Sequence, residues 1–402
     1  MSTRISSAGL HYRALNALLD AQARLSKTQE QIATGRRVLT PADDPVAATR
    51  MQDLTRQLSA TDQYLRNNDA VRSRLSLEEQ TLADVGTALG RIRELVLEAS
   101  NDTVDHESRQ MLRVEIEART SELLDLANRK DAQGEYLFAG LATLTQPFAR
   151  DGGVVRYFGD EGQRLQQVGE TQRVSDGDSG AEVFARIGEG NGTFVTSAAA
   201  TNTGSGSVSV GSVFDRSAWP GGTFTVQFTA SSTWQVVDSA SPTPNVLASG
   251  AYQAGAAITF AGVSVAVAGT PAAGDEFVVR QSGTTDLFGS LDALVATLGL
   301  RTDTPANRGQ WRTGIDGSIA QLDRALDHVL EVRASVGSRL NTLDVARTAH
   351  EDAGINLETL LSEVRDLDYA EAVTRLNLQL TGLEAAQKSL ASVGQLSLFN
   401  YL

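Results

Sequence analysis

The sequence predicts an α+β multidomain chain: long coiled-coil-like helices from both termini pair side by side, with a central antiparallel β-rich insertion domain between them. Three observations carry this expectation. Apolar residues recur on three- and four-residue steps at both ends of the chain. The middle is rich in Gly, Ser, Thr and Val and alternates with a period of two. Gly, Pro and Asp stand where one pattern stops and the next begins.

The first helix is expected from Ala8 to Thr34, where Leu18, Leu25 and Ile32 recur at intervals of seven beside Ala14 and Ala21, and Gly35 follows as a helix-ending residue. Asp44 then offers an N-cap oxygen, and Pro45 suits the first helical position, where its missing N–H costs nothing. The stripe of the second helix runs through Met51, Leu54, Leu58, Thr61, Leu65 and Asn68. It continues through Arg72, Leu75, Glu79, Leu82 and Leu89, slips between Val85 and Ile92, and resumes at Leu95 or Val96. Roughly 55 residues at ~1.5 Å each give a rod on the order of 80 Å. After Asn101–Asp105 a further helix carries Leu112, Ile116, Leu123 and Leu126 to about Lys130.

From about Gly134 to Gly289 the pattern is that of strands. Phe224, Val226 and Phe228 alternate with Thr and Gln, and Val263, Val265 and Val267 with Ser and Ala. Gly159-Asp-Glu-Gly162 is expected to be the turn of a hairpin between Val154–Phe158 and Arg164–Val168. Helical spacing then returns. Ile315, Ile319, Leu322, Leu326, Val329, Val332, Val336, Leu340 and Leu343 form one stripe, extended by Leu357, Leu360 and Val364. A last helix carries Val373, Leu376, Leu380, Leu383 and Leu390 towards an apolar ending, Ser397-Leu-Phe-Asn-Tyr-Leu402. The expected division is a terminal helical domain (1–40 with 369–402), a long-helix rod (41–145 with 290–368) and a β-rich outer domain (146–289).

Composition excludes several function classes. The formal net charge of −14 argues against nucleic acid or an anionic membrane as partner, since both demand a positive surface. Without cysteine there is no disulfide framework, thiolate metal site or cysteine nucleophile. The polar start, Met1 to Ser7, lacks the apolar core of a cleaved secretory signal. His11, His106, His328 and His350 share no metal-ligand spacing and read as helix-surface residues. Asp176-Gly-Asp178 with Glu182 lacks the other positions of a calcium loop and reads as a solvated acidic turn. Of the pair Glu78-Glu79, Glu79 falls in the helical stripe with Glu78 beside it, and Asp368 reads as an N-cap rather than a catalytic carboxylate. Nothing assembles a nucleophile, a base and an orienting group, so no enzyme, cofactor or metal is expected.

Four segments resemble the flagellin superfamily, in order and at the matching ends of the chain. They are Gln31-Ile-Ala-Thr-Gly-Arg-Arg-Val-Leu-Thr-Pro-Ala-Asp-Asp-Pro45, Ala334-Ser-Val-Gly-Ser-Arg-Leu-Asn-Thr-Leu343, Leu361-Ser-Glu-Val-Arg-Asp-Leu-Asp-Tyr-Ala-Glu-Ala-Val373 and Gln395-Leu-Ser-Leu-Phe-Asn-Tyr-Leu402. Leu126-Ala-Asn-Arg-Lys-Asp-Ala-Gln-Gly-Glu-Tyr-Leu-Phe-Ala-Gly140, Gln146-Pro-Phe148 and Val155-Arg-Tyr-Phe-Gly-Asp160 are similar to the hook-associated branch of that family. The resemblance implies a structural subunit of the bacterial flagellum at the junction between hook and filament. It also implies extracellular placement after type III export without a cleaved signal peptide. The implied neighbours are further copies in a helical stack, the other hook-associated junction protein, flagellin and a cytoplasmic export chaperone. The alternative within the family is the filament subunit itself. The central insertion is large for this branch.

An interface that does not close on itself generates helical assemblies. The expected assembly residues are those of the terminal stripes: Leu18, Leu25, Ile32, Leu376, Leu380, Leu383, Leu390, Leu398 and Leu402. Ala14, Ala17, Ala21 and Ala23, with Ala385, Ala386 and Ala391, permit close helix approach beside them.

Overall fold

The computed structural model describes residues 7–239 and 245–399. The chain divides into two units, Met1–Arg66 with Ala346–Leu402 and Asn67–Val345. Helices α1 (Ser7–Thr34), α2 (Pro45–Ala99) and α3 (His106–Ala127) precede the β region; α4 (Leu287–Gly299), α5 (Pro305–Arg365) and α6 (Tyr369–Phe399) follow it. No helix among the described residues is long and apolar enough to cross a membrane.

The boundaries follow local chemistry. Gly35 stops α1 with φ 69°. Asp44 caps α2, its Oδ1 accepting the Ala47 N–H at 3.0 Å, and Asp368 caps α6 through the N–H groups of Ala370 and Glu371.

In the second unit α2 and α5 run antiparallel, side by side. Glu79 pairs with Arg333 at 2.6 Å and Arg93 with Asp323 at 2.5 Å, so the sequence numbers fall on one helix as they rise on the other. The expected stripes face inward: Leu75, Leu82 and Leu89 of α2 and Ile315, Leu322, Val329, Val336 and Leu343 of α5 are buried in one core, joined by Ile116 and Leu123 of α3. Each such side chain contributes about 1.5–3 kcal/mol.

Helix α4 begins inside the stretch expected to be strand-like and precedes the first stripe residue expected of the rod, Ile315. Its signal is there: Asp286 is an N-cap, and Leu287, Leu291, Leu294 and Leu298 fall on helical steps and are buried. A π turn, Ala181–Ala185, was missed as well. It presents Phe184 edge-on to Phe138 and Phe148, with Phe288 of α4 against Phe148.

The hairpin expected around Gly159–Gly162 does not form. Strand β1 (Phe148–Asp151) pairs with β2 (Val154–Tyr157), and β3 (Leu165–Gln167) with β4 (Arg173–Ser175). Gly152 and Gly153, both at positive φ, make the first turn. The Gly159–Gly162 segment is held elsewhere: Asp160 Oδ1 accepts the Leu141 and Gly162 N–H groups, and the Tyr157 hydroxyl donates to the Asp160 carbonyl at 2.6 Å.

Strands β5 (Ile187–Gly188), β6 (Phe194–Ala198), β7 (Ser207–Val208) and β8 (Ser212–Val213) lead into the outer sheets, built with β9 (Thr223–Ala230), β10 (Thr233–Asp238) and β11 (Asn245–Ala251). After these come β12 (Ala257–Phe260), β13 (Val263–Ala268), β14 (Glu276–Gln281) and β15 (Thr284–Thr285). One sheet has the order β11-β10-β9-β14-β6; the other has β12-β13-β7, with β8 also on β13. The β14–β9, β14–β6, β9–β10, β10–β11 and β12–β13 pairs are antiparallel, as expected. Phe224, Val226 and Phe228 meet Val263, Val265 and Val267 in a second core, separate from the helical one. Chain entry and exit are joined by the β5–β15 pair and by the Glu189 N–H to the Gly283 carbonyl at 3.1 Å.

Two acidic readings need correction. Glu78, not Glu79, is the buried member of its pair, at 1% exposure. The turn Asp176–Asp178 is buried rather than solvated. Asp176 takes the Arg164 Nε at 2.6 Å, Asp178 pairs with Arg339, and the Asp178 N–H donates to Glu78 Oε1 at 3.1 Å. Packing of the loop against α2 and α5 excludes the water that short acidic turns normally keep. Burial, reinforced by the neighbouring Asp178 charge and opposed by Arg339, raises the Glu78 pKa well above the usual carboxylate range.

Candidate assembly surface

In the first unit α1 packs against α6. The segments that carry the sequence motifs, far apart in the chain, come together where those helices begin and end. Arg36 bridges to Asp366, the Arg37 N–H donates to the Arg365 carbonyl at 2.8 Å, and the Leu367 N–H to the Gly35 carbonyl at 2.9 Å. The Arg37 guanidinium reaches the Val364 carbonyl at 2.9 Å. Gly35 is required by its positive φ; a Cβ there would meet only the tip of the exposed Tyr369 side chain, at 2.9 Å from the hydroxyl oxygen.

The Pro41–Asp44 stretch is fixed by charge. Asp43 pairs with Lys27 at 2.6 Å and accepts the N–H groups of Leu39 and Thr40. Lys27 first, then the Thr40 N–H, lower the Asp43 pKa to about 2. Arg365, with Ser362, likewise lowers that of Asp366.

The expected assembly residues differ in exposure. Leu25 is buried, Leu18, Ile32, Leu376, Leu383 and Leu390 are half-buried, and Leu380 is exposed. The side chain of Leu398 and the whole of Leu402 lie outside the described residues. The stripe reading missed apolar side chains that stay in solvent beside it, Leu15, Leu19, Tyr369 and Leu378, the last at 70% exposure; Val373, named in the stripe, is exposed as well. At the α5 end, Leu361 is buried in place of the expected Leu360, which is exposed. Val38, Leu39, Pro41, Met51 and Leu361 line an open groove of about 670 Å3, rimmed by Arg36, Arg56 and Arg365. A helix pair with this much apolar side chain still in water is suited to further helix packing. Among the described residues no cluster of three metal-ligating side chains occurs. His328 Nε2 lies 2.8 Å from the Glu182 carbonyl, and the His350 ring is 5.3 Å from that of Tyr64.

Comparison with known proteins agrees with this geometry. Residues 5–143 match the bacterial flagellin N-terminal helical region, and residues 319–402 the bacterial flagellin C-terminal helical region. Flagellar hook-associated protein 3 of Escherichia coli is 25% identical over 397 residues, covering 98% of each chain. The FlgL crystal structure from Xanthomonas campestris is 35% identical with a TM-score of 0.72, over 77% of this chain and 99% of that one. The flagellar junction protein FlgL of Legionella pneumophila is 32% identical with a TM-score of 0.71, over 79% and 99%. The chain belongs to the FlgL family of flagellar hook-associated proteins, whose terminal regions are those of bacterial flagellin.

Proposed function

We propose that this flagellar component is a structural subunit of the hook–filament junction, assembled by side-by-side packing of its terminal helices with those of neighbouring copies. One observation supports this above the rest: α1 and α6 cover each other only in part and leave Leu15, Leu19, Val373, Leu378 and Leu380 in solvent. Contacts of that kind between copies do not close on themselves and so build a helical stack. Of the nine stripe residues named from the sequence, Leu18, Ile32, Leu376, Leu380, Leu383 and Leu390 belong to this surface, and the groove over Val38 and Met51 offers a neighbouring side chain a seat.

In this reading residues 1–40 with 369–402 form the axial part, 41–145 with 290–368 the rod, and 146–289 the outer domain. The subunit is exported by the type III route with a cytoplasmic chaperone. It meets the other hook-associated protein on one side and flagellin on the other, has no catalytic role, and acts outside the cell. Labelling of the tagged chain on intact flagella tests the proposal. A single band at the hook–filament boundary is expected; label along the whole filament would make it a filament subunit instead, and label confined to the cell interior would overturn the assignment.

A further inference from the structure

In the second unit, the start of α3, the loop before α5 and the first turns of α5 border an open cleft of about 740 Å3, completed by Ser205 and Gly269. On a chain with a net charge of −14, four arginines gather here: Arg109, Arg301, Arg308 and Arg312. Arg312 is neutralised, with both oxygens of Asp102 at 2.5 and 2.7 Å from its Nη2. The other three are not in any ion pair among the described residues.

Arg109 is the most informative of them. It is 6% exposed, its guanidinium carbon lies 4.8 Å from the Trp311 ring centroid, and Nη2 donates to Thr302 Oγ1 at 2.8 Å. Its Nε has no acceptor. Asp105, the carboxylate of the cleft nearest to Arg109 in sequence, uses Oδ1 to cap α3 through the Ser108 N–H. Trp311 Nε1 and His106 Nδ1, on the same cleft, are also buried without partners. Arg308 makes only a 3.5 Å contact with the Thr302 carbonyl, and Arg301 is exposed. Against these stands one further carboxylate, that of Asp303.

A buried guanidinium without a paired counter-charge is costly, and natural structures resolve the cost with an anion. Guanidinium forks match the oxygens of carboxylates and phosphates, and the cleft has room for more than a bare ion. We propose that this cleft binds a small polar molecule bearing an oxyanion, a carboxylate or a phosphate ester, through Arg109, Arg301 and Arg308.

The test uses the full chain with four probes: inorganic phosphate, glucose 6-phosphate, citrate and glucuronate. Binding is read by calorimetry, and by fluorescence of Trp311 after replacing Trp219 and Trp234 with Phe. At least one probe is expected to saturate a single site, to shift the Trp311 emission, and to bind more weakly as salt is raised. Saturation by phosphates alone assigns a phosphate ligand, and by the acids alone a carboxylate. The double variant Arg301→Gln, Arg308→Gln alters two exposed side chains, so the fold is retained; it should bind about tenfold more weakly or worse. No saturable binding of any probe up to about 10 mM, or binding that the double variant leaves unchanged, overturns the proposal.

Discussion

Asn68 of α2 donates from Nδ2 to the carbonyl oxygen of Leu343 on α5 at 2.7 Å, and neither residue has any exposed surface. An amide at a stripe position of a helix pair ties the register of the two helices, because any slip leaves it buried without a partner. Replacing Asn68 by Asp puts a charge in the same place. It should cost about 3 kcal/mol or more, whereas Asn68→Leu should change stability by less than about 1 kcal/mol. Urea unfolding of both variants measures this; equal losses would mean that the amide holds nothing in register.

The buried Glu78 makes stability depend on pH. Its pKa in the folded chain is raised well above the ordinary glutamate value of 4.5. Between those two pKa values the folded state therefore keeps a proton that the unfolded state has released. The contribution is fully present below about 4.5 and is lost as pH rises through the folded value, at up to about 1.4 kcal/mol per pH unit. Glu78→Gln keeps the shape and cannot ionise. Its stability relative to the parent should rise as the pH is taken upward from 4.5, measured by urea unfolding at fixed ionic strength. A constant difference across that range would contradict the buried-carboxyl account.

Gly140 is held at φ 69°, and a Cβ there would fall 2.3 Å from the Asp160 carbonyl oxygen. Backbone of another segment cannot move aside as a side chain tip can. Gly140→Ala should cost about 2–4 kcal/mol. Gly134→Ala, also at positive φ but in open space, should cost only about 1 kcal/mol. Thermal melts of the two variants compare the terms directly.

The outer sheets have their own core, and the chain enters and leaves them at a single strand pair. Replacing residues 190–282 by a short Gly/Ser link should leave a soluble chain with the helical core intact, since Glu189 and Gly283 are already bonded. Replacing only 205–270 should give an insoluble one: it removes β9 and β13 and exposes Phe194 and Phe277, which are buried against them. Solubility and helical circular dichroism separate the two outcomes.

The free monomer should exchange its amide protons unevenly. Between Tyr12 and Arg24 the helix α1 has no buried side chain, whereas Leu82 to Leu95 of α2 includes five with no exposed surface. Exchange in the first stretch is expected to be at least about 1000-fold faster than in the second, and to slow once the subunit is assembled. Equal protection in a verified monomer would remove the argument for burial between copies.

Much of the helical frame is legible without coordinates, because what specifies it is local. The step pattern from Met51 to Leu89, the Asp44-Pro45 start and the Gly35 stop each act within a turn or two of helix, so α1, α2, α5 and α6 lie close to where they were expected. The alternation of Phe224, Val226 and Phe228 marks a strand in the same way. Which strand pairs with which is not local: Val154–Tyr157 turns back on Phe148–Asp151 because Gly152-Gly153 allows the tight turn and Asp160 is already engaged with Leu141. Nor does a helical repeat reveal that Glu78 is the one shut away from water. That depends on the loop at Asp178, a hundred residues on in sequence. The meeting of Gly35 with Leu367, and of Arg109 with Trp311, is likewise decided only when distant segments pack. Periodicity and caps specify each element by itself, whereas burial and charge pairing belong to the surroundings that the other elements supply.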